Sequence, residues 1–272
     1  MNLLVTIDEN YIGPLRVMLC SLLLSNPAEH FSVYLAHRAM TSDQLASVCE
    51  GFDSKYLSLH PIQVSDQQLI GAPVEKRYPR EMYYRLFAAR YLPDSLDRIL
   101  YLDPDLVVLG PVRPLYEIDL DGHWFAAASH VHQVVQRLNE LRLNIPSGGA
   151  YVNSGVLLMD LAALRAEQDA DQILSYIREN RFRMVLPDQD VLNALYYDRI
   201  LQLNPLIYNL SEKYLLHHNF DLSAQPVDLD WIRSNTVFIH YCGRNKPWRE
   251  GYLGILGRFY QEFAQQLPSH LD

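Results

Sequence analysis

Cysteine is scarce in this chain, and the little there is carries no pattern. Cys20, Cys49 and Cys242 show neither the close pairing of a metal site nor the framework of a disulfide-stapled domain. They read as free thiols in a reducing compartment, and the expected localisation is cytoplasmic. Basic charge is short as well. Against 32 Asp and Glu stand 23 Lys and Arg, a net charge of −9, which excludes non-specific nucleic-acid binding because that needs a basic face. A nucleotide ligand is not excluded, since its phosphates can be met by one metal and one or two cations. No apolar run reaches the ~18 residues of a membrane span. The N-terminus has no basic leader stretch or cleavage site and enters a strand pattern at once, Leu3-Leu-Val-Thr-Ile7. The sequon Asn209-Leu-Ser211 is therefore expected to be idle. A Gly-rich phosphate loop is also missing, which argues against a dinucleotide or P-loop site.

What is present is the balance of an ordinary globular protein, 49% hydrophobic and 20% charged, in 272 residues, enough for one large domain or two small ones. The pattern opens as strand, helix, strand, helix, strand: Leu3 to Ile7, Ile12 to Leu24 with Pro14 in its first turn, Phe31 to Ala36, Ser42 to Val48, and Tyr56 to Ile62. That order predicts a mostly parallel sheet covered by helices on both faces. Tyr78 to Leu92 reads as a helix whose aromatic face, Tyr83, Tyr84, Phe87 and Tyr91, suits core packing; Arg85 among them is harder to place. Trp124 to Ser129, Val156 to Met159 and Val237 to Tyr241 read as strands. Val134 to Leu143, Leu161 to Leu164, Ile173 to Ile177, Asp188 to Leu195 and Leu256 to Leu267 read as helical. Ser147-Gly-Gly149 reads as a turn, 204–235 as irregular and aromatic, and Cys242 to Gly254 as a loop.

The chemistry concentrates on Arg98-Ile-Leu-Tyr-Leu-Asp-Pro-Asp-Leu-Val-Val-Leu109. A buried strand, Ile99 to Leu102, runs into Asp103-Pro104-Asp105, and a second apolar run follows from Leu106. Two carboxylates one residue apart at a strand end repel each other, and burial adds to the cost of their charge. A hard divalent cation removes both problems. Asp8, after the first strand, is either a helix N-cap or a nucleotide contact in the first βα loop. Asn153 and Gly155, just before a buried strand, suggest backbone close to a ligand or a tight bend. Asp119-Leu-Asp121-Gly122 resembles a phosphatase nucleophile motif, but no buried strand precedes it, and a surface turn is expected. Asp188-Gln-Asp190 is either simple helix capping or a set that holds hydroxyl groups. His240, at a strand end, is either an ordinary hydrogen-bonded histidine or, beside an Asp-x-Asp pair, the third member of an Mn²⁺ site, with Lys246 near to meet phosphate. His217 and His218 lack such a context and read as surface residues.

Six of these pieces resemble glycosyltransferase family 8, which includes bacterial lipopolysaccharide galactosyl- and glucosyltransferases and glycogenin. They are Asp8-Glu-Asn-Tyr11, Tyr84-Arg-Leu86, Leu100-Tyr-Leu-Asp-Pro-Asp105, Asn153-Ser-Gly-Val-Leu-Leu158, Asp188-Gln-Asp190 with Leu192-Asn193, and His240-Tyr-Cys-Gly-x-x-Lys-Pro-Trp248. Each is weak alone, and the family's order is kept across all of them.

The resemblance implies a GT-A fold, an α/β Rossmann-like architecture with a mixed, mostly parallel sheet flanked by helices. It implies one glycosyltransferase domain over 1–272, with 204–272 as a C-terminal acceptor-side and metal-loop region. The implied activity is retaining transfer of glucose or galactose from UDP-glucose or UDP-galactose to a glycan or lipid-linked acceptor, with Mn²⁺ or, as the alternative, Mg²⁺. Asp103, Asp105 and His240 would hold the metal. Thr6, Asp8 and Asn10 would contact the nucleoside, and Arg85, Asn153, Asp188 and Gln189 the donor sugar. Asp103, Gly243 and Lys246 complete the donor set, and Lys246 meets the diphosphate. Gln189 and Asp188 carry the catalytic assignment, and either covalent or front-face attack is open; front-face attack is favoured because an amide is a poor nucleophile. Pro104 departs from the Thr or Ala frequent in relatives and removes one backbone donor. The chain ends soon after its terminal helix, without the basic aromatic tail of some bacterial relatives, so at most peripheral membrane association is expected. Two other functions compete: a sugar-nucleotide-binding protein without transfer activity, and a metal-dependent phosphohydrolase built on Asp119 and Asp121.

Overall fold

Leu3, Leu4 and Val5 are fully buried, which is what a strand covered on both faces requires. A computed structural model of the chain describes residues 1–64, 80–129, 133–146 and 151–268. The chain begins β1 (Asn2–Thr6), α1 (Ile12–Ser25), β2 (Phe31–His37), α2 (Ser42–Cys49) and β3 (Leu57–Gln63). A 3₁₀ helix (Arg80–Phe87) leads through α3 (Ala88–Tyr91) to β4 (Arg98–Leu102), β5 (Leu106–Val108), α4 (Arg113–Tyr116), β6 (Phe125–Ala128) and α5 (Gln133–Leu143). Then come β7 (Val156–Asp160), α6 (Leu161–Glu167), α7 (Ala170–Asn180), α8 (Pro187–Tyr196) and β8 (Ile200–Leu203). The last part holds α9 (Pro205–Tyr208), α10 (Glu212–Phe220), α11 (Leu229–Asn235), β9 (Phe238–His240) and α12 (Gly257–Ala264).

Seven strands form one sheet in the order β3-β2-β1-β4-β7-β6-β8. The pairs β3–β2, β2–β1, β1–β4 and β6–β8 are parallel, while β7 runs antiparallel to both neighbours. The expected mixed, mostly parallel α/β sheet is therefore observed. Alternation sorts the side chains into two layers. Ile99 and Tyr101 of β4 enter one apolar cluster with Tyr84, Phe87 and Ile173; Leu100 and Leu102 enter the other with Leu15, Met18 and Leu22 of α1. Because β7 is reversed, its first residue, Val156, pairs with Leu102, the last of β4. Thr6, Asp103 and Gly155 consequently meet at one end of the central strands, beyond the carboxyl ends of β1 and β4, where α/β sheets usually bind ligands.

A separate two-stranded sheet pairs β5 with β9 antiparallel, with Leu106 opposite His240. This register brings the C-terminal stretch to the Asp-x-Asp turn, and Tyr241 N donates to the Asp105 carbonyl at 3.0 Å. A third apolar cluster, with Ile239, Tyr241, Phe259, Tyr260 and Phe263, backs that sheet.

Two expectations need correction. The helix expected over Tyr78 to Leu92 is a 3₁₀ helix followed by one α-helical turn, and Tyr78 itself lies outside the described residues, as does the Ser147-Gly-Gly149 turn. Tyr83, Tyr84, Leu86 and Phe87 are all buried, so burial surrounds the segment instead of following one α-helical stripe. The region 204–235 is not irregular: Asn204, Ser211 and Asp228 each cap a helix through a side-chain oxygen. The edge strand β8 carries no sequence signal because it is only four residues long and its burial, confined to Ile200 and Leu203, does not alternate.

Candidate active site

Asp103 and Asp105 flank Pro104 in the turn between β4 and β5, and His240 ends β9. A carboxylate oxygen of each aspartate and a ring nitrogen of His240 lie within 4.8 Å of one another. His240 Nε2 stands 3.2 Å from Asp105 Oδ1 and 3.6 Å from Asp103 Oδ2. Tyr101 donates to Asp103 Oδ1 at 2.6 Å, and Arg85 pairs with that same oxygen at 2.9 Å. The other oxygen, Oδ2, is thereby left toward His240. Gly155 lies against the cluster: a Cβ there would come 2.6 Å from Asp103 Oδ2 and 2.9 Å from His240 Nδ1. That close approach explains the glycine, which the sequence marks as backbone close to a ligand or a tight bend.

Lys246 donates to Asp105 Oδ2, and to the Tyr241 carbonyl at 2.8 Å. Its ammonium lies 5.5 Å from the centre of the Trp248 ring, which meets Tyr11 edge-on at 6.1 Å. Burial pushes the Asp105 carboxyl up, but His240 and Lys246 outweigh it and hold that group well below the usual carboxylate range. Burial acts on Lys246 in the opposite sense, and Asp105 again prevails, so its pKa is raised.

Arg85 is buried and serves several partners. It donates to the Ser154 carbonyl at 2.9 Å, its guanidinium lies 4.3 Å from the Tyr101 ring centre, and Nε lies 3.3 Å from Asp188 Oδ2 without hydrogen-bond alignment. Ser154 Oγ donates to Asp188 Oδ2 at 2.8 Å. For Asp188 burial dominates over Arg85 and Ser154, so its carboxyl is raised. Gln189 accepts from Asn153 Nδ2 at 2.9 Å. Asp190 lies on the other side of α8, where Arg142 and the Val185 and Leu186 amides donate to it; it anchors the start of the helix. Asn193 pairs with both backbone groups of Val152, at 2.7 and 2.8 Å, and so ties the 151–155 segment to α8.

A cavity of about 220 Å³ opens beside the cluster, lined by Thr6, Asp8, Tyr11, Arg85, Asp103 and Asp105 among others. Thr6 Oγ1 is buried there without a hydrogen-bond partner. Asp8 caps the short turn Glu9–Tyr11, as the first of its two readings expects, and also lines the cavity. Asn10 and Gly243 are exposed and are not brought into the cluster; Gly243 makes a left-handed turn at φ 90°. Asp119 and Asp121 are exposed in a surface turn, Asp119 Oδ1 accepting from Asp121 N, which removes the basis of the phosphohydrolase reading. Burial raises the Cys242 thiol to about 11, so it stays protonated. The sequence reading missed Tyr101, Ser154 and Asn209. Tyr101 was detectable, because a strand period of two puts it on the face of Asp103; Ser154 and Asn209 carried no local sign.

The profile of glycosyl transferase family 8 matches residues 2–251. The lipopolysaccharide 1,2-glucosyltransferase of Escherichia coli (strain K12) is 28% identical over 98% of this chain and 78% of its own length. The lipopolysaccharide 1,3-galactosyltransferase of Salmonella typhimurium is 24% identical over the same shares, 98% and 78%. In structure the chain is similar to the galactosyltransferase LgtC crystallised with donor and acceptor sugar analogs, with a TM-score of 0.82 and 24% identity over 99% of this chain and 97% of that one. Among the described residues, no helix is long and apolar enough to cross a membrane. With nearly its whole length matched and a GT-A-like sheet carrying the acidic turn at one end of its central strands, the chain belongs to glycosyl transferase family 8 and is a glycosyltransferase.

Proposed function

We propose that this chain moves glucose or galactose from a UDP-sugar to a hydroxyl of a glycan or lipid-linked acceptor, with retention at the anomeric carbon and with Mn²⁺ as cofactor. The carrying observation is the convergence of Asp103, Asp105 and His240 beside a polar cavity. Two hard carboxylate oxygens and one imidazole nitrogen suit Mn²⁺, and the same donors accept Mg²⁺ less well. The site fits such an ion further, because Gly155 leaves room and Asp103 Oδ1 is already occupied by Tyr101 and Arg85. When bound, the cation supplies charge neutralisation at the diphosphate.

The remaining work falls to the chain's own residues. Thr6 and Asp8 receive the nucleoside in the cavity they line, and Asn10, exposed in the same loop, adds a contact to it. Lys246 turns its ammonium to the diphosphate and stabilises the charge that develops as the glycosyl–phosphate bond breaks. Gly243 leaves the backbone before it open to the donor. Arg85, Asn153, Asp188 and Gln189 hold the sugar. Attack is front-face: the acceptor oxygen bonds to the anomeric carbon as the phosphate oxygen leaves and takes the acceptor's proton. Gln189 is a neutral amide whose oxygen accepts from Asn153, and an amide is a poor nucleophile for a covalent intermediate. We assign the whole chain to one catalytic domain, in which 204–272 supplies His240 and Lys246 and faces the acceptor. The transferase names of the relatives support a lipopolysaccharide-type acceptor.

Thermal melts with a panel of nucleotide sugars test this reading. UDP-glucose or UDP-galactose with Mn²⁺ should stabilise the protein by about 2.7 kcal/mol at ~100 times its dissociation constant, on the order of 5 °C, and much less in EDTA. Equal shifts with and without metal would remove the metal-linked site. Binding without turnover on any glycan would favour the sugar-nucleotide-binding alternative.

A further inference from the structure

Asn209 stands in the idle sequon, fully buried, beside the metal-site histidine. Its surroundings form a hydrogen-bond chain whose direction follows from counting protons. A backbone N–H can only donate, so Gly155 N fixes Asn153 Oδ1 as its acceptor, at 3.0 Å. Asn153 Nδ2 is thereby turned to Gln189, whose side-chain oxygen accepts at 2.9 Å. Asn153 Oδ1 also accepts from Asn209 Nδ2 at 2.8 Å. Asn209 is left with Oδ1 toward His240 Nδ1 at 2.9 Å, so His240 must donate there. Its Nε2, the nitrogen that faces Asp103 and Asp105, is then the one that can offer a lone pair to a cation between them.

We infer that Asn209 is a positioning residue that sets the tautomer of His240 and, with Gly155 N, holds the amide orientation of Asn153 and Gln189. The inference rests on the proposed metal site. Partners of this kind typically change metal affinity or activity 10–100-fold. They do so because a histidine held by its second nitrogen loses neither its tautomer nor its ring angle.

Two variants separate the two halves of the role, with Mn²⁺ alone as the probe, followed by electron paramagnetic resonance at fixed neutral pH. Asn209→Leu removes both hydrogen bonds and should weaken Mn²⁺ binding by roughly 10–100-fold in protein that melts cooperatively. Asn209→Asp keeps an acceptor against His240 but no donor for Asn153. It should bind Mn²⁺ at least as tightly as wild type, while kcat for transfer from the UDP-sugar falls about tenfold with KM for the acceptor little changed. Wild-type Mn²⁺ affinity in folded Asn209→Leu overturns the inference, as does wild-type kcat in Asn209→Asp. Should Asn209→Leu not fold, the Asn209→Asp result alone decides. If wild-type protein binds no Mn²⁺, the proposed function and this inference fall together, a result distinct from failure of the variants.

Discussion

Asp188 is buried as an acid between Arg85 and Ser154, and its raised pKa has a definite sign for stability. A carboxyl whose folded pKa lies above its unfolded value binds protons more readily when folded. Folding is therefore penalised at pH values above the folded pKa and relieved as pH falls through it. Asp188→Asn keeps the shape and the acceptor for Ser154 Oγ without the charge. The variant should be as stable as wild type or more so at pH 7. That advantage should narrow as pH falls through the folded pKa, because wild-type Asp188 then takes up a proton. Transfer activity should fall at least tenfold, since the carboxylate proposed to hold the donor sugar is lost. Denaturant melts from pH 4 to 8 alongside rates decide it: a variant much less stable at pH 7 would show that the Arg85 pairing outweighs burial. The general lesson at this scale is that a buried acid next to a cation can still be a stability cost retained for function.

Among the elements, α8 is the one whose placement matters most to the proposed donor site, because Asp188 and Gln189 lie in its first turn. No side chain caps that helix from Leu186; Asp190 instead folds back to the Val185 and Leu186 amides while Arg142 of α5 grips both of its oxygens at 2.7 Å. Asp190 is fully buried and Arg142 only partly so. Arg142→Ala should cost about 3 kcal/mol, at the low end for a buried pair broken from one side, because Tyr151 and two amides still donate to Asp190. The loosened start of α8 should raise KM for the donor more than it lowers kcat. An unchanged melting curve with unchanged KM would show that the helix is held by its apolar face, Val191 and Leu192, alone.

For the molecule as a whole, the loop of the proposed metal site is backed by packing from the far end of the chain. Phe259, Tyr260 and Phe263 of α12 are buried against Val17 of α1 and against Ile239 and Tyr241, and Tyr260 tilts against Trp248 at 5.4 Å. These residues lie past residue 251, where the family match ends. Phe259→Ala should cost about 3–5 kcal/mol, a large share of the roughly 5–15 kcal/mol by which a protein is usually stable. Protein that remains folded should bind Mn²⁺ with near wild-type affinity, because the lost contacts lie behind the loop and not in the site. A large loss of affinity in fully folded variant would instead place Phe259 in the positioning of His240.

Local pattern in the sequence was enough for the strands of the parallel half, for α1 and α2, and for the Asp-x-Asp turn. Each of these is set by residues within a few positions: alternation in β4, a proline in the first turn of α1, two acids at a strand end. Gly155 was legible as backbone close to a ligand or a tight bend for the same reason, although not the groups it clears. The order of the six motifs was sufficient to mark the family resemblance. Only the tertiary structure decided that β7 runs antiparallel between β4 and β6, that β9 pairs with β5, and that the aromatic segment after residue 80 is a 3₁₀ helix. Strand partners and directions are choices among distant segments that share one apolar pattern, so no short window distinguishes them. Asn209 shows the same limit for polar residues: its neighbours in sequence mark a sequon, while its hydrogen bonds to Asn153 and His240 exist only once the β5–β9 pairing has closed the site around it.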